Sequence, residues 1–156
     1  MSRIKIHDKE FEVSIPREEI LKEVKRVADE INRDYAGKCP LLLGVLNGCF
    51  MFAADLMRNL NIECELSFVK LSSYQGTTTT GVIREVLGLA ESITGRDVII
   101  VEDIVDTGYT MQRMIETLGT REPASLQIAS LFLKPARLKV PVDVKYSAFK
   151  IGRAHV

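Results

Sequence analysis

The residues of this chain with the clearest chemical potential are three carboxylates and a hydroxyl-rich turn within VEDIVDTGYT, residues 101–110. Glu102 and Asp103 are adjacent and follow four β-branched residues, and Asp106 comes shortly after them. Adjacent carboxylates suit ribose hydroxyls or a hydrated magnesium ion. The Thr-Gly-Tyr-Thr sequence that follows opens a predicted helix, where unpaired backbone N–H groups favour an anion. The stretch therefore predicts a binding site for a phosphorylated sugar.

Each feature of this stretch has an ordinary structural explanation when it is taken alone. Glu102 and Asp103 could solvate a strand end, Asp106 could cap a helix, and Thr-Gly-Tyr-Thr could form a simple turn. Three acids and a hydroxyl-rich turn directly after a buried strand are not explained jointly in that way. Their combination favours a functional site.

Hydrophobic periodicity predicts the elements that position this site. Residues 98–101 predict a buried strand, and the apolar residues that follow residue 110 predict a helix ended by Gly119. Residues 41–46 are an almost continuous apolar run, as expected of a parallel strand covered on both faces. Asn47-Gly48 turns that strand into a helix over residues 50–60. These are two β-to-α units.

The remaining elements complete an α/β pattern. We expect two short strands within residues 3–15, a helix from Pro16 to Gly37, and further strands over residues 62–71, 125–133 and 142–151. Strands that alternate with helices imply a mostly parallel twisted sheet flanked by helices. In such sheets ligands bind beyond the carboxyl ends of the strands, where the acidic stretch lies. The QGTTTTG sequence, residues 75–81, predicts a mobile loop.

Composition excludes several classes of function. The chain has 156 residues, which fits one domain, and 21 basic and 21 acidic residues give it no net charge. It therefore lacks the charge of a nucleic-acid-binding or membrane-surface protein. No signal peptide is visible and no apolar run approaches the roughly 20 residues of a membrane span, so we expect a soluble cytoplasmic protein. Cys39, Cys49 and Cys64 lack CxxC spacing and predict small buried thiols, neither a disulfide framework nor a zinc site.

Three segments of the sequence resemble a known enzyme family. VIIVEDIVDTGYT, residues 98–110, resembles the 5-phosphoribosyl-1-pyrophosphate signature of type I phosphoribosyltransferases. GVLNGCFMFAADL, residues 44–56, resembles the pyrophosphate loop of hypoxanthine-guanine phosphoribosyltransferases, and KLSSYQG, residues 70–76, resembles their catalytic flexible loop. Lys134 lies at the family's base-binding position. The resemblance covers about residues 4–151, with the segments in the same order and at similar intervals.

The resemblance implies an activity in purine salvage. The enzyme would transfer the 5-phosphoribosyl group from 5-phosphoribosyl-1-pyrophosphate to hypoxanthine or guanine, giving IMP or GMP and pyrophosphate. The implied cofactor is Mg²⁺, held by Glu102 and Asp103, which would also bind the ribose hydroxyls. The 5-phosphate would be bound by the turn formed by Thr107, Gly108, Tyr109 and Thr110. A homodimer or homotetramer is also implied, with no nucleic-acid or membrane partner.

The resemblance also implies the catalytic residues. Asp106 would face N7 of the purine and move its proton, and Lys134 would hydrogen-bond the 6-oxo group that distinguishes hypoxanthine and guanine from adenine. Ser73 and Tyr74 would close over the site as the sugar reacts. Three consecutive backbone amides would hold the pyrophosphate, namely those of Leu46, Asn47 and Gly48. A non-proline cis peptide is expected near the first two of these.

The sequence departs from the family pattern at two positions. Asn47 and Tyr109 stand where many relatives carry a basic residue, so backbone amides must contribute more to the binding of pyrophosphate and phosphate. Two other functions fit the sequence less well. A non-catalytic regulator that binds 5-phosphoribosyl-1-pyrophosphate or a nucleotide is disfavoured by the zero net charge and by the catalytic residues. A dinucleotide-binding oxidoreductase is disfavoured because LNGC lacks GxGxxG spacing.

The resemblance ends at residue 151. The final residues IGRAHV also match the translation of a common sequencing adapter. We therefore expect residues 1–151 to form a phosphoribosyltransferase domain that lacks its C-terminal part and has an incomplete hood over the purine. Residues 152–156 are expected to be an artefactual tail.

Overall fold

The structure, a computed structural model, describes residues 3–73, 83–87, 89 and 92–152. Tyr74, the QGTTTTG segment and residues 153–156 of the expected tail lie outside the described residues. The strands and helices follow one another in this order: β1 (Arg3–Ile6), β2 (Lys9–Glu12), α1 (Arg17–Asp34), β3 (Leu41–Leu46), α2 (Phe50–Asn59), β4 (Glu65–Ser73), β5 (Ile83–Leu87), β6 (Asp97–Val105), α3 (Tyr109–Gly119), β7 (Ser125–Leu133), a 3-10 turn (Pro135–Arg137) and β8 (Tyr146–Lys150).

The main sheet has the strand order β5-β4-β3-β6-β7-β8. All its neighbouring strands pair in parallel except β4 and β5, which are antiparallel. β1 and β2 form a separate antiparallel hairpin. This confirms the predicted α/β fold with a mostly parallel sheet. It also brings the carboxyl ends of β3, β6 and β7 to one edge.

The central strand β3 shows why the sheet is buried on both faces. Leu41, Leu42 and Leu43 have no exposed surface. Successive side chains of a strand point to opposite faces. Accordingly, Leu42 packs in the core that contains α1 and α2, whereas Leu41 and Leu43 pack in the core that contains α3. A continuous apolar run therefore makes a strand covered by helices on both sides.

β6 is longer than predicted. Its pairing with β3 stops at Gly44↔Val101, but its pairing with β7 continues from Glu102↔Ser130 to Val105↔Leu133. The expectation that the strand ends at Val101 was therefore wrong. Pairing with β7 keeps the chain extended as far as Val105. Glu102 and Asp103 lie within β6, beyond the part of the strand that pairs with β3.

Other boundaries differ in smaller ways. β5 was not predicted, β4 begins at Glu65 instead of residue 62, and β8 begins at Tyr146 instead of residue 142. The prediction of buried thiols is correct for Cys49 but wrong for Cys39, which is exposed, and Cys64 is only partly buried. No helix within the described ranges is long and apolar enough to cross a membrane.

Candidate active site

The loop between β3 and α2 lies against the acidic segment of β6. The Leu46–Asn47 peptide is cis, as expected. Gly48 follows directly, and a Cβ placed on it would lie 2.7 Å from Cγ of Asp103. Any larger residue would therefore collide with the carboxylate. Only glycine allows the loop to approach Asp103 this closely.

Glu102 and Asp103 form a compact carboxyl pair. Asp103 N donates to Glu102 Oε1 at 3.0 Å, and Ile104 N donates to Asp103 Oδ1 at 2.8 Å. Burial, followed by a hydrogen bond with the Asp103 side chain, raises the pKa of Glu102 to about 8. In the free protein the buried carboxyl therefore favours its neutral form. A bound cation, or hydrogen bonds donated by sugar hydroxyls, could instead stabilise the ionised carboxylate.

The donor set fits a hard cation that retains other ligands. Among the described residues there is no group of three or more His, Cys, Asp or Glu side chains placed to hold a metal. Two adjacent carboxylates are nevertheless a usual protein contribution to Mg²⁺, which keeps several waters and takes substrate oxygens as its remaining ligands. Glu102 and Asp103 could thus hold such an ion only together with a substrate.

The turn before α3 presents free backbone donors. Gly108 is the N-cap of α3, with φ of 92°, and no side chain caps the helix. The first N–H groups of a helix have no intrahelical acceptor and so can bind an anion. A Cβ on Gly108 would lie 3.0 Å from Val142 and 3.2 Å from Leu138. Both the left-handed backbone and the close packing require glycine here.

A cleft of about 230 Å³ runs along this segment. Its volume is below the roughly 300–1,000 Å³ of complete small-molecule sites. The cleft is lined by Glu102, Asp103, Ile104, Val105, Asp106, Thr107, Gly108, Thr110 and Met111. It therefore matches the sugar-phosphate part of a larger site.

The segment after β7 folds back onto this turn. We call residues 134–142 the return segment. Lys134 N donates to Val105 O at 3.0 Å, and Lys139 N donates to Thr107 O at 2.8 Å. Lys134 is 9% exposed, which is low for a lysine. These bonds fix the return segment beside the carboxyl end of β6.

Arg137, in the return segment, forms an ion pair that the sequence analysis did not predict. Its Nε donates to Asp106 Oδ1 at 2.6 Å. The two residues are 31 positions apart, so only the folded path of the return segment brings them together. The one signal in the sequence is an arginine closely following Lys134. That signal is too weak to have identified Arg137.

Most of the predicted site residues meet at one edge of the sheet. Tyr109 is an exception, since it is 50% exposed and does not line the cleft. Ser73 ends β4, a few residues after Lys70, the partner of Leu46 in the sheet. Its backbone is therefore at the same edge. The remaining predicted residues lie in the cleft, against it or in the return segment, except Tyr74, which is outside the described ranges.

The known proteins that this chain resembles are phosphoribosyltransferases. The phosphoribosyl transferase domain family matches residues 16–156. The hypoxanthine phosphoribosyltransferase of Salmonella typhimurium is 42% identical over 90% of this chain and 80% of its own length. The hypoxanthine-guanine phosphoribosyltransferase of Bacillus anthracis superposes with a TM-score of 0.81 at 35% identity, over 90% of this chain and 84% of that chain. The hypoxanthine phosphoribosyltransferase of Trypanosoma cruzi, studied for the role of its C-terminal region in oligomeric state and activity, also gives 0.81, at 36% identity over 92% of this chain and 82% of that chain.

Proposed function

Because this chain belongs to the phosphoribosyltransferase family, we propose that it transfers the 5-phosphoribosyl group of 5-phosphoribosyl-1-pyrophosphate to hypoxanthine or guanine. The products are IMP or GMP and pyrophosphate, so the reaction is a step of purine salvage. The observation that carries the proposal is the meeting of an acidic pair, a helix N-terminus and a buried lysine at one sheet edge.

The sugar phosphate binds along β6 and the turn that follows. The 5-phosphate accepts hydrogen bonds from the first backbone N–H groups of α3 and from the hydroxyls of Thr107 and Thr110, which line the cleft. The ribose hydroxyls donate to the carboxylates of Glu102 and Asp103. Tyr109 adds no charge to this site, so backbone groups must contribute more to the binding.

Mg²⁺ is the proposed cofactor. Glu102 and Asp103 would hold it together with oxygens of the substrate, and the ion would offset the charge of the departing pyrophosphate. The backbone amides of Leu46, Asn47 and Gly48 bind the same pyrophosphate. The support for this contact is the closeness of Gly48 to the Asp103 carboxylate.

Asp106 is the proposed catalytic base. Purine N9 bonds to C1 of the ribose as the bond from C1 to the pyrophosphate oxygen breaks, and Asp106 takes the proton from N7. The reacting sugar becomes cationic, which requires a preorganised site from which water is excluded. Ser73 and Tyr74 are proposed to close over the sugar for that purpose.

Lys134 is the proposed base-binding residue. Its ammonium group would donate to the 6-oxo group of hypoxanthine or guanine. Adenine carries an amino group at that position and would leave the lysine unpaired. Unpaired buried charge is costly, so this one contact supplies selectivity against adenine.

The test is product formation with each base. The chain, 5-phosphoribosyl-1-pyrophosphate and Mg²⁺ are incubated with hypoxanthine, guanine, xanthine or adenine, and pyrophosphate and nucleotide are measured together. We expect stoichiometric nucleotide and pyrophosphate with hypoxanthine or guanine and none above background with adenine. Binding of the sugar pyrophosphate without release of pyrophosphate would contradict the enzymatic function.

Assembly and location complete the proposal. A homodimer or homotetramer is proposed, and the study of oligomeric state in the Trypanosoma cruzi enzyme supports looking for one. The protein is proposed to act in the cytoplasm, without a nucleic-acid or membrane partner. Sedimentation analysis would give the number of subunits directly.

A further inference from the structure

We infer that Arg137 is a positioning residue that orients the Asp106 carboxylate toward the purine. The inference rests on the proposed role of Asp106 as the catalytic base. Arg137 Nε donates to Oδ1 of Asp106 at 2.6 Å. Within the described ranges no other donor is hydrogen-bonded to this carboxylate. Oδ2 is therefore the oxygen left to take the N7 proton.

The backbone under Arg137 is fixed relative to Asp106. Hydrogen bonds join the return segment to Val105 and to Thr107, the two neighbours of Asp106 in the chain. Arg137 N also donates to Lys134 O at 3.1 Å, which closes the short turn that carries the guanidinium. The ion pair therefore spans two backbone segments that are held together on both sides of it. Such a frame limits the orientations open to the carboxylate.

The ion pair is too exposed for stability to explain it well. The side chains of Arg137 and Asp106 are 40% and 41% exposed. Ion pairs with this exposure contribute little to folding, because water and salt screen them. Arg58 and Asp55 on α2 form a pair of the same 2.6 Å length. That pair lies on the helix surface away from the cleft and is a matched control.

The chemistry of arginine suits an orienting role. The guanidinium is planar and rigid, so its Nε–H donates in a more fixed direction than the flexible ammonium of lysine does. Small errors in the position of a catalytic group can lower a rate by up to about a hundredfold. Arg137 does not line the sugar-phosphate cleft. Loss of its side chain should therefore lower kcat and leave the KM for 5-phosphoribosyl-1-pyrophosphate unchanged.

The experiment compares Arg137→Ala, Arg137→Lys and the control Arg58→Ala in the full chain. We expect kcat with hypoxanthine to fall about tenfold to a hundredfold in Arg137→Ala, to recover in part in Arg137→Lys, and to stay at the parent value in Arg58→Ala. Melting temperatures are measured on the same samples, and Arg137→Lys keeps the test valid if the alanine variant does not fold. Parent kcat in both Arg137 variants would overturn the inference.

A double-mutant cycle with Asp106→Asn separates this inference from the proposed function. If Arg137 acts through Asp106, then Arg137→Ala causes no further loss of kcat in the Asp106→Asn background. An additive loss in the double variant shows that Arg137 acts elsewhere and overturns this inference alone. Parent kcat in Asp106→Asn itself refutes Asp106 as the base, and the inference with it.

Discussion

Replacing Glu102 by glutamine should stabilise the free protein while weakening its binding of the sugar pyrophosphate. Burial and the neighbouring Asp103 raise the pKa of Glu102 from 4.5 to about 8. A carboxyl whose pKa is higher in the folded state favours folding while it is protonated, and that stability is lost as pH rises from 4.5 toward 8. Glutamine resembles the protonated form and does not titrate, so it avoids this loss.

The magnitude follows from the width of the pH window. Each pKa unit corresponds to about 1.4 kcal/mol. Because pH 7 lies about 2.5 units above the ordinary pKa of a glutamate, the parent has lost about 3 kcal/mol of stability there, and Glu102→Gln should be more stable by that amount. At pH 5 the difference should be only about 1 kcal/mol. For a chain of this size these values correspond to melting temperatures higher by about 6–12 °C and about 2–4 °C.

Thermal unfolding from pH 5 to pH 8 in the presence of a chelator measures the effect. Glu116→Gln is the control, because Glu116 is exposed on α3 and its side chain is 59% accessible. Addition of Mg²⁺ and 5-phosphoribosyl-1-pyrophosphate should then raise the melting temperature of the parent more than that of Glu102→Gln. A pH-independent difference, or a variant less stable than the parent at pH 7, would refute the reasoning.

Three further predictions concern packing, a partly buried hydrogen bond and a buried thiol. Gly108→Ala should lower the free energy of unfolding by about 1–2 kcal/mol in urea titrations, because φ of 92° and Val142 at 3.0 Å disfavour a Cβ, whereas Gly119→Ala, with nothing within 4 Å, should not. Tyr146→Phe removes the 2.6 Å hydrogen bond that lowers the pKa of Asp34, and should cost about 1–2 kcal/mol at pH 7. That cost should shrink as pH falls below 3.8 and through the lowered pKa of Asp34, where the folded carboxylate becomes protonated, and a constant cost would contradict the pairing. Cys49 has no exposed surface and burial raises its pKa to about 11, so a thiol reagent should label it only after unfolding.

The sequence predicted best those elements whose pattern is local. β3 was predicted with its observed bounds, because six apolar residues between turn-forming sequences leave little choice. The end of β6 was missed because it depends on β7, which continues to pair with β6 beyond the part that pairs with β3. β5 was missed because its place at the edge of the sheet depends on pairing with β4, which no periodicity in the sequence reveals.

The candidate site shows the same division. Glu102, Asp103 and the turn that follows are contiguous, so residue types alone indicated a site. The cis peptide before Asn47 was expected only from the family resemblance, not from the residues. Arg137 could not have been predicted, because its pairing with Asp106 depends on how the return segment crosses the end of the sheet. Contacts between residues far apart in the sequence can be identified only once the fold is known.

The return segment also bears on how this protein could be redesigned. Its backbone is bonded to the turn on both sides of Asp106, and its residues Leu138 and Val142 pack where only glycine fits at position 108. Lys134 is only the proposed base-binding residue, and exchanging it alone for the residue of another enzyme would not transfer these supporting contacts. The transferable module is the return segment together with residues 105–108, exchanged as one piece.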